Sequence, residues 1–388
     1  MNKRQLRLIT SLSASKLADL LISAKTTLPA LLIAAGAPAW MVGWLVPIRE
    51  SGALLPQAPL GVLLRRLPAR HRIWRLGMIV QILSVLGIAA SALVLNGAMA
   101  GWCMLAALVL LSLGRSACSL TMKDIQADIA DKGERGRLLG IASTVSGTLT
   151  LCIAVPLTFF GDELGNNIAA GITIVAAGSF TIGLLVLYSN HTCVETNDDG
   201  ASGFSWQFDN TVYRFILVRG LFVHSALLAP YFMIQSDQDA MQLLPFFLAA
   251  QALATMLTSY VWGSVADKSA RLTLQLAGGL ALLACALLTW LPGHNVYTTG
   301  LSFFVLAVAH AGVRTGRKTY SLDVKEGQQR TELVAFSNTA IGIILLGFGA
   351  FYAFVSATTD LNIVAMMSGA LMAGMLLTLI LPSEKAKE

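Results

Sequence analysis

The chain has 388 residues, of which 55% are hydrophobic and only 12% are charged, and its formal net charge is +6. Soluble domains average about 25% charged residues, so this composition excludes an ordinary soluble protein and favours one that crosses a membrane several times. The positive charge follows the predicted loops, as shown below, and does not indicate nucleic-acid binding.

Twelve apolar stretches are long enough to cross a bilayer, which takes about 20 helical residues. They are continuous, without the alternation of barrel strands over about ten residues, and so predict α-helices. The predicted spans are 15–36, 39–64, 74–96, 101–122, 137–160, 168–189, 213–235, 240–264, 271–291, 297–318, 332–356 and 361–381. The preceding segment, MNKRQLRLIT, has no small-residue cleavage site, and we expect it to be a cytoplasmic tail.

Basic residues occupy alternate loops. They are Lys3, Arg4 and Arg7; Arg65, Arg66, Arg70, Arg72 and Arg75; Lys132, Arg135 and Arg137; Lys268 and Arg271; Lys325 and Arg330; and Lys385 and Lys387. The intervening loops, near 36–39, 97–100, 161–167, 236–240, 292–296 and 357–360, have none. Because loops rich in Lys and Arg remain in the cytoplasm, we expect both termini there and the chain in the cytoplasmic (inner) membrane.

The chain divides into two similar halves. A polar segment between spans six and seven predicts units at 1–189 and 213–388, joined by a cytoplasmic linker at 190–212. Four identities recur at one offset of 195 positions: Lys123 and Lys318, Asp128 and Asp323, Arg135 and Arg330, and Gly147 and Gly342. Pro29 and Pro230 are 201 positions apart. Such six-span repeats are typical of transporters with a substrate site between the halves.

The loop after the eighth span, Gly263-x-x-x-Asp267-Lys268-x-x-Arg271, resembles a loop of the major facilitator superfamily. The resemblance covers essentially the whole chain. It implies an all-α membrane protein with two pseudo-symmetric six-helix bundles, usually monomeric, and gating roles for Gly263, Asp267, Lys268 and Arg271. Two further charge pairs resemble gating loops of that family, namely Asp128 with Arg135 and Asp323 with Arg330. In the corresponding loop of the first half, Arg65 stands where the family's motif has its acidic residue. The cytoplasmic preference of basic loops is sufficient to explain Arg66, Arg72 and Arg75.

Charged residues within predicted spans are costly and are therefore candidates for function. The predicted substrate-binding residues are Lys25, Arg49, Arg115, His224 and His310. Asp19 or Glu50 is the predicted proton carrier, because a buried carboxylate that loses its cationic partner takes up a proton. The resemblance places the first, fourth, seventh and tenth spans around a cavity. The alternatives are packed core positions for the histidines, snorkelling for Arg219 and Arg314, and interfacial anchoring for Lys16 and Lys123.

The mid-membrane cations outnumber the anion Glu50, which predicts transport of a small organic anion, coupled to H⁺. The alternatives are a multidrug or metabolite efflux antiporter and a non-transporting sensor. An efflux cavity would use the aromatic residues Trp40, Trp44, Phe232, Phe246, Phe247 and Phe303. No nucleophile motif, metal-ligand cluster, CxxC or ATP-binding loop is present, so we expect no enzyme activity, metal or cofactor. The expected partners are a small-molecule substrate, H⁺ and the lipid bilayer.

Overall fold

The computed structural model describes residues 2–65, 67–130, 134–159, 165–193, 210–236, 238–290, 295–323 and 327–382. Within these ranges the secondary structure is entirely helical. The helices are α1 (Lys3–Leu21), α2 (Thr27–Ala34), α3 (Ala39–Val42), α4 (Leu45–Leu54), α5 (Gln57–Arg65), α6 (Arg70–Val94), α7 (Gly97–Ile129), α8 (Arg135–Leu157), α9 (Asn166–Leu187), α10 (Asn210–Phe222), α11 (His224–Ile234), α12 (Ala240–Lys268), α13 (Ala270–Trp290), α14 (Val296–Asp323), α15 (Gly327–Thr358) and α16 (Ile363–Leu377). A 3₁₀ turn at Thr378–Ile380 follows α16.

Ten segments of the described chain are helical, long and apolar enough to cross a membrane. They correspond to the third to twelfth predicted spans, and the pair α10–α11 forms one of them. The first two predicted spans are interrupted instead. The first consists of α1 and α2, and the second of the short helices α3, α4 and α5.

Proline explains the break in the first span. Pro29 lies in the first turn of α2 and has no N–H to donate to the carbonyl of Lys25. The chain leaves the helix after Leu21, and the hydroxyl of Ser23 accepts a hydrogen bond from the backbone N–H of Lys25, at 3.1 Å. The seventh span breaks at Val223, upstream of Pro230. The first break therefore takes Lys25 out of helical geometry in the middle of the molecule.

The second span is divided by glycine and proline. Gly36 follows α2 with a φ of 71°, a left-handed conformation that ends helices and favours glycine. Pro38 caps α3, and Pro56 lies between α4 and α5. These interruptions shorten α4 to ten residues, which include Arg49 and Glu50.

The start of the chain differs from the prediction. A tail was expected before residue 15, but α1 begins at Lys3. The side chain of Asn2 accepts from the backbone N–H of Gln5, and the side chain of Gln5 accepts from that of Asn2. This reciprocal cap satisfies two N–H groups that would otherwise lack partners, and so extends the helix into the polar segment.

The helices pack as two groups. Helices α1 to α9 pack chiefly on one another, as do α10 to α16, and the main contacts between the groups are α8 with α12 and α4 with α15. The hydroxyl of Ser51 on α4 donates to the carbonyl of Gly342 on α15, at 2.8 Å and fully buried. The exact unit boundaries stay a prediction, but this packing leaves a seam between two groups of helices.

The seam is closed at the end of the molecule away from the chain termini. Helices α2 and α11 are almost completely buried there. A Cβ atom added to Gly43 would lie 2.6 Å from the Tyr231 hydroxyl, and one added to Gly349 would lie 2.5 Å from Cγ of Pro47. Glycine therefore allows the two groups to touch at both points.

Candidate functional site

A cavity of about 450 Å³ lies in the seam. Its walls come from α1, α4, α7 and α8 on one side and from α11, α12 and α14 on the other, together with the break that holds Lys25. Along α14 the lining runs from Phe303 to Arg317, which is about 21 Å of helix, towards the end that carries the chain termini. The volume suits a small molecule.

The lining is strongly basic. Its cations are Lys16, Lys25, Arg49, Arg115, Arg314 and Arg317, and its carboxylates are Asp19 and Glu50. Among the described residues this gives six cations against two anions before His310 is considered. Ser23, Ser143, Ser146, Ser225, Gln251 and Thr255 add neutral polar groups. The cavity therefore favours an occupant that brings negative charge.

Asp19 joins three helices of the first group. Its Oδ1 accepts from Nη2 of Arg49 at 2.7 Å and also from Nη1 of Arg115. Nη1 of Arg49 is buried without a hydrogen-bond partner. This cluster, which we call the Asp19 cluster, thus has two guanidinium groups for one carboxylate and retains unused donors.

A second cluster connects the two groups of helices. The Nζ atom of Lys25 lies 2.7 Å from Nε2 of His310 and 4.0 Å from Oε1 of Glu50. The hydroxyl of Ser225 donates to the carbonyl of Phe222 at 2.8 Å and lies 3.1 Å from Nδ1 of His310. Since that hydroxyl proton is already used, Nδ1–H donates to Ser225, and Nε2 accepts from the Lys25 ammonium. His310 is therefore held in its neutral Nδ1–H form.

A third group of cations lies nearer the chain termini. The ammonium of Lys16 donates to the carbonyl of Leu139 at 3.0 Å and to the Ser143 hydroxyl. Arg314 and Arg317 are three residues apart on α14 and share one face of it. In the described part of the chain, no carboxylate forms a salt bridge with any of these three cations.

The structure brings most of the predicted site residues together. Asp19, Lys25, Arg49, Glu50, Arg115 and His310 all line the cavity, on four helices and the break in the first span. The contacts among them include the ion pairs of Arg49 with Asp19 and of Lys25 with Glu50. Binding and proton coupling by these residues stay predictions, since a location alone tests neither.

His224 is an exception. It is fully buried outside the cavity lining, with Nδ1 2.7 Å from the carbonyl of Leu221 and Nε2 2.9 Å from the Tyr352 hydroxyl. Its ring also packs edge-on against Phe348. Both ring nitrogens are occupied, which favours the alternative of a packed core histidine, and substrate binding by His224 stays a prediction without support from its position.

Two other interpretations change. Lys16 lines the cavity and is not merely an interfacial anchor. Arg219 does not snorkel: it is buried and donates to Ser337 Oγ at 2.7 Å and Asn338 Oδ1 at 2.8 Å. Sequence reasoning missed Arg317, which falls at the edge of a predicted span. Its spacing from His310 and Arg314, at i+7 and i+3, was a usable signal, because these positions share one helical face.

The predicted gating residues lie at helix ends. Gly263, Asp267 and Lys268 are in the last turns of α12, and the last two are exposed. Arg271 donates to the carbonyls of Leu379 at 3.1 Å and Leu381 at 3.4 Å. Gating by these residues stays a prediction.

The other predicted gating pairs use different partners or are not described. Asp128 accepts from Thr192 at 2.9 Å, and Arg135 donates to the carbonyls of Ala127 and Ala130, so the described structure has no ion pair between Asp128 and Arg135. The side chains of Arg65, Arg66, Asp323 and Arg330 lie outside the described residues. Nearby, Nε of Arg70 lies 2.8 Å from Oδ2 of Asp124.

Comparison with known proteins identifies the fold. No protein-family model and no curated protein matches the chain. Solved structures match almost all of it. The inward open xylose transporter XylE from E. coli has a TM-score of 0.71 and 13% identity, over 100% of this chain and 98% of that one. A POT family transporter in complex with 5-aminolevulinic acid has a TM-score of 0.74 and 11% identity, over 97% and 94% of the two chains. The POT family transporter in complex with a thioalcohol-conjugated peptide gives 0.72 and 11%, with the same coverage.

The chain therefore has the major facilitator fold, and the predicted fold class is confirmed. At these identities the likeness concerns the fold alone.

Proposed function

We propose that this protein is a secondary transporter that moves a small organic anion across the cytoplasmic membrane by alternating access, coupled to protons. The observation that carries the proposal is the charge of the cavity: in its described lining six cations face two carboxylates, and both carboxylates already contact cations. Buried cations without counter-charge are costly, and an anionic solute compensates them. The fold supports transport, since the solved structures that share it are named transporters.

The efflux alternative has less support. Of the six aromatic residues expected to line a spacious drug-binding cavity, only Phe303 belongs to the described lining. Phe247 stacks on Phe303 at 3.9 Å between centroids, and Trp40 lies edge-on to Trp102 at 5.7 Å. These aromatic rings stabilise helix packing, and the cavity offers few ring faces to a lipophilic cation.

Glu50 is the better candidate for proton coupling. Asp19 is held by two guanidinium groups, whereas the one salt bridge of Glu50 in the described structure is its 4.0 Å contact with Lys25, supplemented by the more distant charge of Arg317. A substrate carboxylate that binds Lys25 competes with Glu50 for the same ammonium. The displaced Glu50 then takes up H⁺ from the aqueous phase to which the cavity opens, because a buried carboxylate that loses its salt bridge is unfavourable. Anion and proton are thereby carried together.

Alternating access requires the closed end to open. In this conformation the cavity extends towards the termini, while contacts at Gly43–Tyr231 and Gly349–Pro47 close the other end. With both termini in the cytoplasm, as the loop charges predict, this state faces inwards. Separation of α4 from α15 would release the closed end as the charged loops near the termini come together. We expect the chain to function as a monomer.

Flux into proteoliposomes tests the proposal. The purified chain is reconstituted, and uptake of radiolabelled carboxylates and of lipophilic cations is measured with and without an inward proton gradient. We expect saturable uptake of a carboxylate that the gradient accelerates. The variant Glu50→Gln should lose the acceleration but keep binding, and Glu134→Gln, at an exposed carboxylate outside the cavity lining, should keep both. Uptake of lipophilic cations alone would contradict the anion assignment, and binding without any flux would favour a sensor.

A further inference from the structure

One end of the cavity carries three cations that form no salt bridge within the described ranges of the chain. Arg314 and Arg317 share a face of α14, and Lys16 on α1 faces the same cavity. Among the described residues, the hydrogen bonds of the Lys16 ammonium go to neutral oxygen atoms, those of Leu139 and Ser143, and Asp19 lies one turn further along α1. In the described part of the chain, neither arginine has a carboxylate within salt-bridge distance, and the charge of opposite sign that acts on Arg317 is that of Glu50, which already lies beside Lys25.

The two carboxylates of the cavity are committed to other cations. Asp19 is bound by Arg49 and Arg115, and Glu50 lies beside Lys25. In each contact the carboxylate belongs to α1 or α4 and not to α14. Lys16, Arg314 and Arg317 therefore bring three formal positive charges that form no salt bridge in the described structure, and a single carboxylate would compensate only one of them.

We infer that Lys16, Arg314 and Arg317 form a subsite for two negative charges, carried by two carboxylates or by one phosphate group, so that the transported anion is a dicarboxylate or a phosphate ester and not a monocarboxylate. Each guanidinium offers five N–H donors in a planar fork that fits carboxylate and phosphate oxygens, and the ammonium of Lys16 adds a point charge. This inference rests on the proposed function and specifies its substrate class.

The length of the cavity fits such an anion. Seven residues separate His310 from Arg317, which is about 10 Å along α14. The phosphate group, or at least one of the two carboxylates, binds at the Arg314–Arg317 end, and the rest of the substrate extends towards Lys25 and His310. This arrangement leaves the Asp19 cluster intact and lets the far end of the substrate reach the Lys25 ammonium.

Matched probes that differ by one charge test the inference. Binding to the detergent-purified full chain is measured by calorimetry for succinate against succinamate, and for glycerol 3-phosphate against its phosphate methyl ester. We expect each dianion to bind at least about tenfold more tightly than its monoanionic partner, a difference of about 1.4 kcal/mol, because the monoanion loses a charged hydrogen bond to the subsite. If only the succinate pair shows the preference, the substrate is a dicarboxylate; if only the glycerol 3-phosphate pair shows it, the substrate is a phosphate ester.

Variants locate the subsite. Arg317→Gln should remove most of the preference for the dianion, and Arg314→Gln provides a second variant if the first does not fold. Lys318→Gln is the matched control, since Lys318 is adjacent, exposed and outside the cavity lining, and it should keep the preference. Equal binding of dianion and monoanion by the wild type, or a preference that survives in both arginine variants, overturns the inference. If a monocarboxylate is transported and no dianion binds, this inference fails while the proposed function stands. If no anion binds or is transported, the inference and the proposed function both fail.

Discussion

Removal of the charge of Asp19 tests the electrostatic interpretation of the cavity most directly. In Asp19→Asn the amide retains an oxygen at the position that accepts from Arg49 and Arg115, but two guanidinium groups lose their shared counter-charge. The side chains of Arg49 and Asp19 are only 10% and 21% exposed, so their contact is largely buried. Loss of one partner of a buried ion pair costs about 3–5 kcal/mol.

The expected loss of stability lies at the lower end of that range. The Arg115 side chain is 39% exposed, so screening reduces its share to less than about 1 kcal/mol. The amide oxygen also preserves part of the hydrogen bond to Arg49. We therefore expect Asp19→Asn to lower the free energy of unfolding by about 3 kcal/mol.

Equilibrium unfolding in mixed micelles measures this loss. A double-mutant cycle with Arg49→Gln should give a coupling energy of about 2 kcal/mol, because the two side chains are in direct contact. The control is Asp124→Asn, which breaks the ion pair to Arg70 outside the cavity; there the Asp124 side chain is 37% exposed, and the expected loss is below about 1 kcal/mol. If Asp19→Asn is no more destabilising than the control, the two arginines do not depend on Asp19, and our account of the cluster is wrong.

Three further predictions concern packing. In Gly349→Ala the new Cβ meets the rigid ring of Pro47 across the seam, and separation of the two groups of helices relieves the clash. We therefore expect transport to slow several-fold and a cysteine introduced at the closed end to become more accessible, while the free energy of unfolding changes by less than about 1 kcal/mol. Unchanged accessibility of that cysteine would contradict this prediction. In Gly312→Ala the new Cβ lies 2.7 Å from the indole of Trp262, within one group of helices. We therefore expect the free energy of unfolding to fall by about 1–3 kcal/mol, while the cysteine at the closed end stays as accessible as in the wild type. Equilibrium unfolding and cysteine labelling measure the two quantities. His224→Phe removes the hydrogen bond to Tyr352 and should cost about 1–3 kcal/mol of stability, yet leave substrate affinity within about twofold of wild type in the calorimetric assay; a large loss of affinity would support the predicted binding role of this histidine.

The sequence was sufficient to predict the class of fold, because the bilayer restricts the choice. A chain in hydrocarbon satisfies its backbone hydrogen bonds within each helix, so apolar runs of about 20 residues mark the spans directly. Ten of the predicted spans appear as helices or a helix pair that can cross a membrane. The cost of burying charge also made Asp19, Lys25, Arg49, Glu50, Arg115 and His310 recognisable as candidates before their contacts were known.

Only the tertiary structure decided which of these groups meet. His224 and His310 both looked like mid-span histidines, but rotation and packing of their helices bury the first against Tyr352 and direct the second to Lys25. Arg317 was not a candidate, although it lines the cavity on the face that carries His310. Helix periodicity specifies which residues share a face, whereas the direction of that face depends on helices that are distant in the chain. The sequence by itself determined the number and cost of the charges, and the packing of the two groups of helices placed them around one cavity.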